Sequence, residues 1–321
     1  MTITKQLLIL LLVEVTLLGS IAHLAIGLSW VPSILFVVVA LLGLRTLVVL
    51  LTWGFSRFYP VPAIGWRAWL PMVGREIAAY LLTFTWLLPF ERWLMPPDKL
   101  TPSPLPLLLI HGYGCSRGIW RVQRARLEAA GHTVATVTLT PPFGHLDDMV
   151  PLLARRIDEV LVATGASQLV LIGHSMGGLV CRDYLAVTGG DKVAQLITLA
   201  TPHQGSQLAT LGLGDNAREM EPGSGWLQRF AAVPLCVPGV SVRTSHDNFV
   251  LPQSRQRLDG MEDVELAALG HLSLLYSRRT TALLLTLLSR PQPQMKRAWL
   301  LRPFPFLLHQ FVVITTRSGS P

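Results

Sequence analysis

Gly173-His174-Ser175-Met176-Gly177 lies between a run of branched apolar residues and a run with apolar residues at helical spacing. The first run, Gln168-Leu169-Val170-Leu171-Ile172, has the composition of a buried strand, and Gly178 to Val187 reads as a helix. A strand that passes through one sharp turn into a helix is a narrow requirement. It places the Ser175 hydroxyl on a strained corner at the carboxyl end of a sheet, where it can attack an ester carbonyl. Glycines on both sides let the backbone turn without a Cβ clash. The pentapeptide alone is a weak signal, since such patterns occur by chance, and a structural glycine turn is the alternative to the nucleophile.

A serine nucleophile needs a base, and the base needs an orienting carboxylate. In the fold this turn implies, they follow in the order serine, acid, histidine. His203, His246, His271 and His309 come after Ser175. His271 follows Val264-Glu265-Leu266-Ala267-Ala268, the expected last strand, and precedes a helical run from Leu272 to Leu288. It therefore sits at a strand's carboxyl end, as Ser175 does. His203 is expected at the mouth of the site, His246 in a turn and His309 in a proline-rich tail. For the acid, Asp247 follows the strand-like run Val240 to Ser245. Asp191 starts a turn at the wrong end of the sheet, Asp215 lies in a glycine-rich insertion, and Asp259-Gly260 reads as a turn. Asp263 also falls between serine and histidine, and chain order favours Asp247 over all of these.

An ester hydrolase also needs donors for the oxyanion. Leu105 to Ile110 reads as a strand that ends in His111-Gly112-Tyr113-Gly114. Glycines flanking one residue let two backbone N–H groups face one oxygen, and the expected donors are those of Tyr113 and Met176.

With these residues in place, the segment from about Leu105 to Arg290 resembles a bacterial lipase of the α/β-hydrolase superfamily, close to the small class 2 triacylglycerol lipases. The matching stretches are IHGYG at 110–114, GHSMGG at 173–178, ATPHQGS at 200–206, SHDNFVLP at 245–252 and GHLSLLYS at 270–277. The resemblance implies Ser175 as nucleophile, Asp247 as acid, His271 as base, and Tyr113 and Met176 as oxyanion donors. It departs from the family at Cys115-Ser116, where glycine often follows the HG-x-G pattern, and in the long segment from Gln204 to Pro238.

Half of the 321 residues are hydrophobic, and the excess lies before residue 95. Leu7 to Leu28 is apolar apart from Glu14, Thr16, Ser20 and His23, and Val31 to Trp53 is interrupted in charge only by Arg45. Each run exceeds the roughly 20 residues that span a bilayer. With Ser29-Trp30-Val31-Pro32 between them as a turn, they read as a transmembrane hairpin. A cleaved leader is the alternative for the first run, with Lys5 before it and Ser20-Ile21-Ala22 resembling a cleavage site. Glu14 inside the apolar stretch and the immediate second span argue for a retained helix. Folding the runs about Ser29 and Trp30 brings Glu14 level with Arg45, and ionisable groups at depth are usually paired.

The turn of the hairpin carries no basic residue, while Lys5 precedes the hairpin and Arg57, Arg67 and Arg75 follow it. Basic flanks stay cytoplasmic. The expected location is thus the bacterial inner membrane, multi-pass, with the hydrolase on the cytoplasmic side. The apolar run Ile77 to Phe90, bordered by Arg75-Glu76 and Glu91-Arg92, is short for a span and reads as a helix in the interface or packed on the domain. Three cysteines, Cys115, Cys181 and Cys236, form no disulfide framework and suit a reducing compartment.

The expected organisation is a hairpin over 1–55, an interfacial helix and proline-rich linker over 56–104, an α/β-hydrolase domain over 105–290 and a basic, apolar tail over 291–321. Strands near 105–111, 133–139, 168–173, 193–199, 239–245 and 263–268 alternate with helices near 118–130, 148–164, 176–188 and 272–289. That alternation predicts an α/β fold with a mostly parallel sheet covered by helices. The segment 204–238 reads as a cap over the site, with Leu208, Leu211, Leu213, Met220, Trp226, Leu227 and Phe230 set among glycines; a helical insertion packed on the core is the alternative. Trp226 and Phe230 are expected to face lipid. In the tail, Lys296, Arg297 and Arg302 interleave with Trp299, Phe304, Phe306 and Phe311, a pattern that suits an anionic membrane surface and not nucleic acid, despite the net charge of +8. No zinc spacing, Walker motif or dinucleotide fingerprint is present, so no cofactor or metal is expected. The function expected is a membrane-anchored lipase, esterase or phospholipase acting on a lipid or acyl ester. Acyl transfer from the same acyl-enzyme and a non-catalytic membrane scaffold are the alternatives.

Overall fold

Two antiparallel helices open the chain. Helix α1 (Ile3–Ser20) is prolonged by a π-turn over Ile21–Ala25, and α2 (Trp30–Ser56) returns beside it. The computed structural model describes residues 1–231 and 233–290; the tail expected to meet a membrane, with His309, lies outside the described residues. At 23 and 27 residues the two helices are long and apolar enough to cross a membrane. Arg45 Nη1 and Nη2 donate to Glu14 Oε1 and Oε2 at 2.9 and 2.5 Å, the register expected from the apolar runs. At the turn, the His23 ring stacks on Trp30 at 4.4 Å and its Nδ1 lies 2.8 Å from the Leu28 carbonyl oxygen.

Helix α3 (Trp66–Leu81), prolonged by a π-turn over Leu82–Leu87, and the short α4 (Glu91–Leu94) follow. Ala79, Leu87 and Leu88 are buried, so the apolar run over 77–90 packs on the domain. Trp66, Trp86 and Trp93 stay exposed on these elements. The proline-rich segment is then stapled to the domain by one carboxylate. Asp98 accepts from Arg124 Nη1 at 2.8 Å, Arg156 Nη2 at 2.7 Å and the Thr136 N–H at 2.7 Å.

Beyond it the chain alternates: β1 (Leu107–Ile110), α5 (Arg121–Ala129), β2 (Val134–Val137), α6 (Leu146–Thr164), β3 (Leu169–His174), α7 (Met176–Thr188) and β4 (Val193–Leu199). After α8 (Asp215–Glu219) and α9 (Gly225–Phe230) come β5 (Gly239–Arg243), β6 (Glu262–Glu265), α10 (Ser273–Tyr276) and α11 (Arg278–Leu288). The six strands are all parallel, in the order β2-β1-β3-β4-β5-β6. Strands covered on both faces need apolar residues at every position, which is why β1 and β3 read as unbroken apolar runs. Leu108, Ile110 and Leu171 pack with Met149, Leu153 and Ile157 of α6 and Leu179 of α7. Leu107, Leu109, Val170 and Ile172 pack on the other side with Trp120, Leu127 of α5 and Leu284 and Leu287 of α11. At the edge, β6 carries Glu262, Asp263 and Glu265, charges that discourage further strand pairing. Arg243 on β5 ties Asp263 and Glu265 at 2.7 and 2.8 Å.

Two expectations need correction. The single helix over 272–289 is broken at Ser277, whose backbone is extended and whose Oγ accepts the Arg279 N–H at 3.1 Å, restarting the helix. The segment over 204–238 divides in two. Its first half, a 3₁₀ turn over Gln207–Leu211 and α8, leaves Leu211 and Leu213 exposed. Its second half, α9, buries Trp226, Leu227 and Phe230 in the core beside α6, with Trp226 Nε1 donating to Asp147 Oδ1 at 2.6 Å. Trp226 and Phe230 therefore do not face lipid: their rings fill space on the α6–α7 side of the sheet.

Candidate active site

Strand β3 and helix α7 meet at Ser175, whose φ of 53° and ψ of −125° are strained for a residue with a Cβ. Such a conformation costs on the order of 1–3 kcal/mol and persists only where neighbours enforce it. Here the Ser175 N–H donates to Leu199 O at 2.9 Å and its carbonyl accepts the Gly178 N–H at 3.0 Å. The flanking glycines are obligatory for space: a Cβ on Gly177 would lie 2.5 Å from the carbonyl oxygens of Ile110 and His111, and one on Gly173 would lie 2.6 Å from the Gly178 nitrogen.

His271 arrives on the loop after β6. Its Nδ1 is 2.8 Å from Asp247 Oδ2, on the loop after β5. Asp247 is fully buried, and its Oδ1 accepts the N–H groups of Phe249 and Val250, both at 2.7 Å, which leaves Oδ2 to face the His271 ring. Burial alone would lower the His271 pKa, but the Asp247 charge, its hydrogen bond and the nearby Glu76 outweigh it and hold the pKa above the ordinary value. Ser175, His271, Gly112 and Tyr113 line one cavity of about 500 Å³.

The turn Gly112-Tyr113-Gly114 is fixed from behind by His111. Its Nε2 accepts the Leu139 N–H at 2.9 Å, which leaves Nδ1 to donate to Gly112 O at 2.8 Å. Burial pushes the His111 pKa down to about 4, consistent with that neutral tautomer. Among the described residues no hydrogen-bond acceptor meets the N–H of Tyr113 or of Met176, the first residue of α7. The Tyr113 hydroxyl serves a separate purpose: it donates to Leu213 O and accepts from Leu213 N, each at 2.8 Å, latching the segment above the cavity. At the departure noted after the HG-x-G pattern, the Ser116 hydroxyl donates to Glu91, and Cys115 is buried on the cavity wall with its thiol pushed up to about 12.

Other candidates lie elsewhere. His203 is buried against Arg182 and Thr198 Oγ1, away from the mouth of this cavity. Its expected place at the mouth is wrong: Pro202 and Ser206 of the same loop line the cavity, while the His203 ring turns to Arg182 of α7 and Thr198. His246 meets the Pro62 carbonyl at 3.2 Å. Asp191 and Asp259 are exposed, Asp263 is tied to Arg243, and Asp215 meets Arg218 at 3.5 Å. Among the described residues no group of three or more His, Cys, Asp or Glu side chains could hold a metal ion.

Sequence reasoning missed Glu76. This α3 carboxylate is fully buried, and its two oxygens accept the N–H groups of Leu272 at 2.9 Å and Ser273 at 2.8 Å, next to His271. Burial raises its pKa against the two N–H donors and the imidazole, which favour the anion. The signal was present: Glu76 shares a helix face with buried Met72, Val73, Ala79 and Thr83, the wrong place for an acid without a partner. Asn248 was also missed. Its Oδ1 accepts the His271 N–H at 3.2 Å, and its Nδ2 donates to Thr52 Oγ1 on α2 at 2.8 Å.

The family described as Alpha/beta hydrolase family matches residues 107–318. A triacylglycerol lipase from Pseudarthrobacter phenanthrenivorans is 32% identical over 123 residues, covering 35% of this chain and 37% of that protein. A triacylglycerol lipase from Burkholderia plantarii is also 32% identical over 123 residues, covering 35% of this chain and 33% of that protein. The chain thus matches about a third of the length of these relatives. Among solved structures, a Bacillus licheniformis lipase in mature form superposes with a TM-score of 0.52 at 20% identity, over 61% of this chain and 95% of that one. An Aspergillus fumigatus lipase gives a TM-score of 0.53 at 17% identity, over 59% and 53%. These likenesses lie in the fold.

Proposed function

Because the chain belongs to the α/β-hydrolase family, we propose that it is a membrane-anchored serine hydrolase that cleaves carboxylic esters of lipids. Ser175 Oγ attacks the acyl carbonyl while His271 Nε2 takes its proton, and Asp247 holds the imidazole and stabilises its cation. The N–H groups of Tyr113 and Met176 receive the oxyanion. His271 then protonates the departing alcohol, leaving the acyl group on Ser175. A water, deprotonated by the same histidine, attacks the acyl-enzyme and releases the fatty acid, and Ser175 regains its proton.

The observation that carries this reading is one arrangement. A strained Ser175 shares a cavity with a His271 whose Nδ1 is 2.8 Å from a buried Asp247. The lipase and esterase names of the relatives agree with it. The hairpin supports the anchor, and exposed Lys5, Arg57, Arg67 and Arg75 support a cytoplasmic hydrolase domain. A fluorophosphonate probe tests the chemistry: it should label wild-type protein in detergent and fail on Ser175→Ala. Absence of serine-dependent labelling on folded protein would overturn the proposal.

A further inference from the structure

The end of the hairpin beside the hydrolase packs on it, with Val49 and Trp53 against Met72 and Val73 of α3. Ile3 is 4% exposed and Thr52 7%, whereas Leu12 and Leu24 are 58% and 79% exposed. Ile3, Leu7 and Thr52 line the same cavity as Ser175 and His271, together with Phe84 and Leu208. Thr52 is fixed there by Asn248, which also accepts the His271 N–H. A helix pair that only tethers a domain needs a linker and no contact with its pocket. This pair supplies side chains to the pocket itself.

The cavity, at about 500 Å³, falls within the roughly 300–1,000 Å³ of ligand sites. The hairpin's contribution to it is aliphatic apart from one hydroxyl already engaged by Asn248. Such a wall favours methylene groups and offers nothing to a charged head group. We infer that the base of the hairpin forms one wall of an acyl-chain site, so that the cavity takes the hydrocarbon chain of a lipid ester whose carbonyl lies at Ser175. This rests on the hydrolase reading of Ser175 and adds to it the role of α1 and α2 in binding the acyl chain.

The test is a series of p-nitrophenyl alkylphosphonates with long chains, each bearing a diazirine at a different carbon, applied to the full chain in detergent. Ser175 Oγ bonds to phosphorus and displaces p-nitrophenolate, and His271 takes the hydroxyl proton. Photolysis then expels dinitrogen, and the carbene inserts into whatever lines the chain. The expected result is cross-linking from at least one diazirine position to residues 1–10, read by peptide mass. Full adduct formation on Ser175 with cross-links confined to residues 105–290 would overturn the wall while leaving the hydrolase intact. No adduct would overturn the hydrolase reading and the wall with it. As a second measurement, Leu7→Trp should lower the ratio of palmitoyl to butyryl ester kcat/KM about tenfold, while Leu12→Trp, exposed away from the cavity, should keep the wild-type ratio. An unchanged ratio in folded Leu7→Trp would also overturn the wall.

Discussion

The Glu76 carboxylate lies 2.9 Å from the backbone nitrogen of Leu272, the residue after His271. A helix that precedes the hydrolase domain in the chain thus grips the turn that presents the proposed base. Glu76→Ala leaves two buried N–H groups without an acceptor, and hydrogen bonds to a charged group are worth about 1.5–3 kcal/mol. We expect kcat on a short-chain ester to fall about 10- to 100-fold with little change in KM, and the acid limb of the rate profile to move to lower pH as a negative charge near His271 is lost. Steady-state kinetics across pH, with thermal melts alongside, check this; an unchanged acid limb with lower Tm alone would make Glu76 merely structural.

As the proposed base, His271 must be neutral to accept the serine proton. Its pKa is raised, so activity should be complete at high pH and lost as pH falls through a value above 6.5. Asp247→Asn removes the charge that raises it, and the residual activity should persist to lower pH than in the wild type. The pH dependence of kcat/KM for both proteins decides.

Removing either member of the proposed proton-transfer pair should be more severe. Ser175→Ala or His271→Ala is expected to lower kcat by about four orders of magnitude or more, because such residues act as a unit. Asp247→Asn, which leaves both in place, should lose less. Near-normal turnover in Asp247→Asn, with loss in Asp215→Asn or Asp191→Asn, would show that the acid lies elsewhere.

In the hairpin, reversing one charge of the Glu14–Arg45 pair leaves two like charges facing each other among apolar side chains. Breaking a buried pair costs about 3–5 kcal/mol. Single reversals should therefore lower the melting temperature in detergent, and the double swap should restore it. Additive defects in the double swap would mean that the two side chains act separately.

Trp226 and Phe230 are 6% and 7% exposed, so Trp226→Ser and Phe230→Ser should destabilise by about 3–5 kcal/mol and depress short- and long-chain ester hydrolysis alike. Leu211→Ser and Leu213→Ser, exposed at the cavity, should instead weaken long-chain hydrolysis with little effect on Tm. Melts and a two-substrate assay separate the cases.

What was legible in the sequence was local or ordered along it. The strand-turn-helix at Ser175 is written in adjacent residues, and the alternation of apolar runs announces the parallel sheet. The Glu14–Arg45 register follows from two helices sharing one turn. Glu76 and Asn248 were not legible, because each acts through contacts with residues about 200 positions away, and no local pattern sets those contacts. The fate of α9 was hidden for a related reason: an apolar helix preceded by glycines looks the same whether its rings meet lipid or a neighbouring helix, and only the space beside α6 decides.

If α1 and α2 span a membrane as proposed, the contact of Ile3, Leu7 and Thr52 with the Ser175 cavity changes what proteolysis there would mean. A fragment starting after Ser56 would retain Ser175, Asp247 and His271, yet its pocket would lie open on one side and Asn248 would lose Thr52. On the proposed reading, clipping the chain there should leave a long-chain ester without one wall of its site. Shedding would then weaken long-chain hydrolysis more than short-chain hydrolysis, and the smallest unit expected to keep both includes the hairpin.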